Sequence, residues 1–341
     1  MPGYVLQAIK RFQHVARTRR QDAPHAYKKP TYGKPTQYAE DDESQPVSAT
    51  TKTYIQQVVG TFLYYALALD FSMLVALGTI ASQQAAPTEH TMSEVTWFLD
   101  YCAAHHDTTI TYQRSDMILH VASDASYLSE SNARSRAGAL FFLGNNPINP
   151  EQPPSTQPKM NGVIHALAKI INAIMSSAME AEIGATFLAA KEAVPIRNAL
   201  TEMGHPQPRT PIEVDNSTAV GFINDRIKHR RSKSIDMRFH WVKDRVRQGQ
   251  FIVYWSPGRN NPADYVTKHH PANHNLAQRK IHFNTQHLAN VVVSYLLQGC
   301  DSRPRTREPR APIARYARRP LNIRTPDTNT KPLRPLNCYD R

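Results

Sequence analysis

Cysteine is scarce in this sequence. Cys102, Cys300 and Cys338 are the only three in 341 residues. They lie far apart with no Cys-x-x-Cys pair, which argues against a disulfide framework or a cysteine zinc site and suits a reducing compartment. Long unbroken apolar runs are also missing. The longest, VVGTFLYYALALDFSMLVALGTIA at 58–81, contains glycines and is broken by Asp70, so a buried helical pair is expected there and not a membrane span. The N-terminal MPGYVLQAIKRFQH lacks the apolar core of a signal peptide. A cytoplasmic or nuclear protein is expected, not a secreted one, and one with no membrane partner. Acid is in deficit, with 28 Asp and Glu against 41 Lys and Arg, a net charge of +13. Residues 300–341 alone carry 11 basic and 4 acidic side chains, with seven prolines and few large apolar groups. That composition reads as a disordered basic tail. The remaining +6 belongs to the body of the chain and points to a polyanionic partner.

Along the chain, residues 3–14 can form a short amphipathic helix with Val5, Ile9 and Phe12 on one side. Residues 16–50 are polar and proline-rich and read as linker. Within them, YAEDD at 38–42 has two residues between its tyrosine and its aspartate pair and lies between polar flanks, so it reads as a solvated acidic patch. Helices are expected over roughly 51–69, 71–84 and 90–105, the last with a capping box at Thr91–Glu94. The pattern then turns to strands: TTITYQ, MILHVASD, AGALFFLG and GVIHALAK. A long helical pattern at about 176–203 should be kinked or broken by Pro195. PIEVD at 211–215 reads as a strand and 217–225 as a short helix, followed by a basic helix at about 234–248 and the strand QFIVYW. Such an order indicates an α/β fold with a mixed sheet. Trp241 and Trp255 both lie in apolar patterns and are expected in the core.

Four acids sit where a packed strand or helix would otherwise want something apolar. Asp124 closes the first core strand and Asp215 closes PIEVD. Asp264, in NNPADYVTK, follows Asn261 as a cap and Pro262 at the first helical position. The helix AMEAEIGATFLAAKEA offers Glu180 and Glu182, which project about 200° apart around the axis. Glu182 shares its face with Ala178, Ala185 and Ala189, small residues that let a helix approach a sheet, and is favoured over Glu180. Carboxylates gathered together raise each other's pKa unless a cation neutralises them. Oxygen-only ligands select a hard ion such as Mg²⁺, with Mn²⁺ able to substitute. Two such ions about 3.5–4 Å apart can activate water and stabilise the leaving oxygen of a phosphodiester.

Taken together, SDASYLSE, SSAMEAEIGA, VDNSTAVGFIN, RSKSIDMRFHWVKDRV and NPADYVTKHHP resemble the ribonuclease H domain of copia-type retrotransposon polyproteins, and they occur in that family's order. The resemblance implies a ribonuclease H-like mixed five-stranded sheet flanked by helices. By position it assigns the metal-binding and catalytic roles to Asp124, Glu182, Asp215 and Asp264. Upstream, MPGYVLQAIKRFQH and the segment QQVVGTFLYYALALDFSMLVALGTIASQQAAPT resemble the thumb and connection of the reverse transcriptase. The expected organisation is a thumb-like helix at 1–22, a flexible linker at 23–50 and a helical connection-like region at 51–107. A ribonuclease H-like domain at 108–285 follows, then a short helix and the disordered basic tail at 286–341. The family's Tyr-x-Asp-Asp, fingers and palm are absent from this chain, so polymerase activity is not expected from it. The insert NNPINPEQPPSTQPKMNG at 145–162 is expected to be a disordered loop.

The implied reaction is metal-dependent endonucleolytic cleavage of RNA in an RNA–DNA hybrid, with two Mg²⁺ ions. A reverse transcriptase polymerase domain acting in trans is a second expected partner. The alternative is an inactive nucleic-acid-binding remnant of a retroelement. Backbone contacts are expected from Arg226, Lys228, Arg230, Arg231, Lys233, Arg259 and Lys268. Arg238, Lys243, Arg245 and Arg247 continue the same basic run. Ser126, Asn216 and Ser217 are candidates for recognising the 2′-hydroxyl. His269 and His270 follow the last motif and could move protons, but with 15 histidines in the chain coincidence is the simpler reading.

Overall fold

The computed structural model describes residues 1–27, 42–145, 149, 152–154, 158–227 and 237–283. The expectations for the tail, for residues 146–148, 150–151 and 155–157 of the insert and for the acidic patch except Asp42 lie outside these residues. Lys228, Arg230, Arg231 and Lys233 also lie outside them, as does the side chain of Arg238. Met1–Val291 forms one compact unit.

Four helices come first: α1 (Tyr4–Arg11), α2 (Ala49–Ala68), α3 (Leu74–Gln83) and α4 (Glu89–Ala104). The apolar run at 58–81 is indeed a buried helical pair, with a 3₁₀ turn at Phe71–Met73 where Asp70 interrupts it. Among the described residues, no helix is long and apolar enough to cross a membrane. The capping box of α4 is displaced from the expected position. Thr88 is the N-cap and accepts from the Thr91 amide, while the Thr91 hydroxyl accepts from the Thr88 amide. Threonine at N3 thus does what glutamate does in the commoner box.

Five strands follow in a single sheet of order β3-β2-β1-β4-β5. Strand β1 (Ile118–Ser126) lies at the centre, antiparallel to β2 (Arg136–Gly144) and parallel to β4 (Thr210–Val214). β3 (Val163–Ile170) and β5 (Phe251–Trp255) form the edges, antiparallel to β2 and parallel to β4 respectively. TTITYQ forms no strand. Thr108 turns its hydroxyl to Asp70, Tyr112 donates to the Val163 carbonyl, and Gln113 is held through the Asn161 side chain.

The sheet separates two cores. On one face α1–α4 pack over Leu140, Val163 and Ala166, joined by Tyr265, Val266 and Phe283. On the other, α5 (Ala178–Glu202), α6 (Ser217–Ile223) and α7 (Met237–Arg247) cover Leu119, Val121, Ala139, Phe141, Ile212 and Val253. Two 3₁₀ turns (Gly258–Asn260 and Pro262–Val266) and α8 (Ala272–His282) complete the described fold. Pro195 neither breaks nor ends α5, which runs unbroken for 25 residues. Proline denies a hydrogen bond to the carbonyl four residues earlier, here that of Lys191. Both residues are exposed, so water can satisfy that group.

Candidate active site

The sheet register brings the first two acids together. The offset that pairs Val121 with Ile212 and Ala122 with Glu213 sets Asp124 level with Asp215 on the adjoining parallel strand. Helix α5 packs on β1, and the Glu182 Oε1 atom accepts from the Ala125 amide at 3.3 Å. One oxygen each of Asp124, Glu182 and Asp215 then lies within 4.8 Å of the others. Asp124 is 2% exposed and Glu182 5%.

Two glycines permit this crowding. Gly138 pairs with Asp124 across the β1–β2 ladder, and a Cβ there would collide with Thr267 Cγ2 and crowd the Ala263 carbonyl at 3.1 Å. Its bare backbone lets the Pro262–Val266 turn settle on the sheet, so that the Thr267 hydroxyl donates to Asp124 Oδ2 at 2.6 Å. A Cβ on Gly258 would lie 2.6 Å from Asp215 Oδ2. Asn261 ties the same turn down, donating to the Ser123 carbonyl at 2.8 Å while its Oδ1 caps the Ala263 amide.

Burial pushes the Asp124 carboxyl above its ordinary pKa, with Asp264 and Asp215 adding to the shift and Lys268 and Thr267 opposing it. Glu182 is raised further, by burial first and then by the charges of Asp124 and Asp215. Asp215 is raised by burial, against the pull of Lys268. The Glu182 Oε2 atom is buried and accepts no hydrogen bond. A bond between the Glu182 and Asp215 carboxyls can form only while one of them holds a proton. Three converging carboxylates, two of them buried and one with an oxygen that lacks any partner, suit a hard divalent cation that would supply the missing positive charge.

Asp264 stands apart from that trio. Its Oδ1 takes the Lys268 ammonium, and its Oδ2 lies 3.8 Å from His270 Nε2. Lys268 Nζ is also 4.0 Å from Asp124 Oδ2, so one ammonium stands between Asp264 and the cluster. Glu180 lies outside the group, accepting from the Ser176 amide and hydroxyl at the start of α5, where Ser177 is the N-cap. The Ser-x-x-Glu spacing of Ser177 and Glu180 is a capping signal that identifies this role from sequence.

The other candidates are dispersed. Ser126 is buried, with its hydroxyl on the Thr267 carbonyl at 2.8 Å and beside Ser129, and so presents nothing to a ligand. Asn216 caps α6 through the Thr218 and Ala219 amides. Ser217, Arg226, Arg259 and Lys268 are exposed. Lys243 and Arg247 both pair with Asp225, at 3.0 and 2.6 Å, and Lys243 also sits 3.7 Å from the Phe222 ring centroid. His269 is half-buried, stacked on His25 and in contact with the Thr79 hydroxyl, with its pKa driven down by desolvation. Trp255 is not core. It is 52% exposed, and its indole N–H donates to the Asp215 carbonyl at 2.9 Å. As the last residue of an edge strand next to the site, it projects beyond the layer that covers its neighbours.

A mixed five-stranded sheet of this order, flanked by helices, is a ribonuclease H-like fold. No family model matches the chain. Over 223 residues, 65% of its length, it is 25% identical to the retrovirus-related Pol polyprotein from transposon TNT 1-94 of Nicotiana tabacum. Over 222 residues, 64% of its length, it is also 25% identical to the polyprotein from transposon RE1 of Arabidopsis thaliana. Both relatives are polyproteins of plant copia-type transposons, the class that the motifs resemble. The chain spans 16% and 14% of their respective lengths. Among solved structures it is similar to LC11 ribonuclease H1, isolated from compost (14% identity, 44% of this chain, 93% of that chain, TM-score 0.33). It is also similar to the foamy viral protease-reverse transcriptase in complex with an RNA/DNA hybrid (11% identity, 64% of this chain, 26% of that chain, TM-score 0.39).

Proposed function

We propose that the chain is a divalent-metal-dependent nuclease that hydrolyses the RNA strand of an RNA–DNA hybrid, as the ribonuclease H-like portion of a retroelement polyprotein. The observation that carries this reading is the convergence of buried Asp124 and Glu182 with half-buried Asp215, with Glu182 Oε2 left without a donor. A structural role does not account for three like charges held in one place, since their repulsion and desolvation both cost stability.

Asp124, Glu182 and Asp215 would hold the cation, and Asp264 would contribute from the rim beside Lys268. When bound, Mg²⁺ supplies an activated water and charge stabilisation at the leaving oxygen. Thr267 fixes one Asp124 oxygen, and the Ala125 amide fixes one Glu182 oxygen, so the remaining oxygens are held in a set direction. Lys268, Arg259 and Arg226 offer exposed positive charge for the phosphate backbone, and Ser217, two residues after Asp215, is exposed as well. The Trp255 ring, oriented through its bond to the Asp215 carbonyl, offers a flat surface for a base or sugar.

The decisive measurement is cleavage of an end-labelled hybrid by the full chain, with Mg²⁺ or Mn²⁺ present or removed by chelation. Cleavage of the RNA strand only with metal is expected, and Asp124→Asn should lower it by at least about 10²–10³-fold while leaving the circular dichroism spectrum unchanged. Equal inactivity of both proteins, with retained salt-sensitive hybrid binding, would replace this reading with that of a binding remnant.

A further inference from the structure

Beside the carboxylate trio lies a second group whose donors differ in kind. Asp264, His270 and His274 each present one ligand atom, and these atoms all lie within 4.8 Å of one another. Asp264 divides its two oxygens, giving Oδ1 to Lys268 and turning Oδ2 towards His270. The His270 and His274 rings stack with centroids 4.2 Å apart. Both lie against Tyr265, at 5.9 and 6.3 Å, and Tyr265 is itself buried. Pro271 begins α8 between them, so the three-residue gap folds both imidazoles around the start of one helix. His270 also contacts the Asp264 carbonyl at 3.1 Å. That hydrogen bond gives a reason for one imidazole beside Asp264, but not for the second.

We infer that Asp264, His270 and His274 form a binding site for a first-row transition-metal cation of the Zn²⁺ class, separate from the three-carboxylate cluster. Two imidazoles and one carboxylate suit zinc, copper or nickel, whereas Mg²⁺ takes oxygen ligands and keeps its waters. With Zn–N bonds of about 2.0–2.1 Å, tetrahedral ligands sit roughly 3.3 Å apart, within reach of side-chain rotation from the present separations. The three residues are half-buried on a fixed aromatic floor, so less ordering is needed on binding. The site stands whether or not the chain is a nuclease. Only one consequence rests on that reading: capture of Asp264 by such a metal would withdraw it from the rim of the active centre, so Zn²⁺ should inhibit cleavage.

The test uses the full chain, stripped of metal and returned to excess Mg²⁺, then titrated with Zn²⁺ against a chromophoric chelator. One Zn²⁺ equivalent should bind despite the Mg²⁺, and Co²⁺ in its place should give visible absorption typical of nitrogen ligation. His270→Ala and His274→Gln should each weaken Zn²⁺ binding by at least about tenfold, since loss of even an outer-shell partner costs 10–100-fold. His90→Ala removes an exposed imidazole from a different carboxylate contact and should change nothing. Thermal melting of each variant establishes that it is folded, and should His270→Ala fail to fold, His274→Gln decides alone. Absence of Zn²⁺ binding in Mg²⁺, or binding unaffected by the His274 change, overturns the inference. Zn²⁺ binding lost with His274 in a protein that never cleaves hybrid would uphold the site and sink only the nuclease reading.

Discussion

Two charge clusters of this fold are built on opposite rules. Between the helical layer and α8, the Asp70 carboxylate and the Arg279 guanidinium meet at 2.8 Å, one 0% and the other 2% exposed. Arg279 also donates to Ser72, Tyr101 and Thr108, and Thr108 donates in turn to Asp70. Charge is balanced and nearly every polar atom is spoken for. At the end of β1 the reverse holds: Asp124, Glu182 and Asp215 have one sign, and a buried oxygen lacks a donor. A network that neutralises itself serves the fold. One that leaves net charge uncompensated is arranged for something that arrives.

The contrast is sharpest when each cluster is broken. Arg279→Met strands the buried Asp70 carboxylate and should cost roughly 3–5 kcal/mol, read as a fall in Tm of about 2–4 °C for each kcal/mol. Replacing both partners, Asp70→Leu with Arg279→Met, should recover most of that loss, because the penalty comes from the unpaired charge. A smaller effect is expected at the mouth of the site. Trp255→Ala should weaken hybrid binding by about 1–3 kcal/mol, the scale of one base stacked on an aromatic ring, with melting unchanged. Full affinity in that variant would show that the exposed indole serves no ligand.

The smallest effect has the most telling sign. Glu182→Gln, in chelator, should raise stability by on the order of 1 kcal/mol, whereas loss of a polar group from the Asp70 network should lower it. The pH dependence follows from the same carboxylates. Asp124 and Glu182 are raised in the folded state, so at intermediate pH the native chain holds protons that the unfolded chain has released. Their contribution to stability is full below the ordinary carboxylate pKa and is lost as pH climbs through the raised values. Metal-free protein should therefore lose Tm as pH rises from about 5 to about 8. The Tm gained on adding Mg²⁺ should grow over the same range, and Glu182→Gln should flatten both trends.

Much of the sheet was legible in the sequence because strands and acids obey short-range rules. ILHVASD and PIEVD each run apolar up to an aspartate, and the alanine face of α5 distinguishes Glu182 from Glu180 without tertiary information. What failed depended on partners distant in the chain. Thr108 was read within a strand, but its hydroxyl is claimed by Asp70 and Arg279. Ser126 looked available until the Thr267 carbonyl is seen to take its proton. Lys243 belonged to a basic run on paper and to Asp225 and Phe222 in space. The Trp255 pattern was apolar, yet a strand's last residue at a sheet edge need not be covered. Pro195 does not break α5 because its cost depends on whether water reaches the carbonyl of Lys191, which periodicity cannot show.

Arg279 has one more implication, for how the chain can be divided. A fragment starting at residue 108 would keep every strand and all four candidate acids, but would carry an interior guanidinium whose counter-ion had been cut away with Asp70. Phe71 would leave with it, stripping its edge-on contact with His282 and its tilted contact with Phe283. Excision at the border that the motifs suggest should therefore cost stability, read as a lower Tm than that of the full chain. The helices in front of that border supply the floor on which the last helix rests.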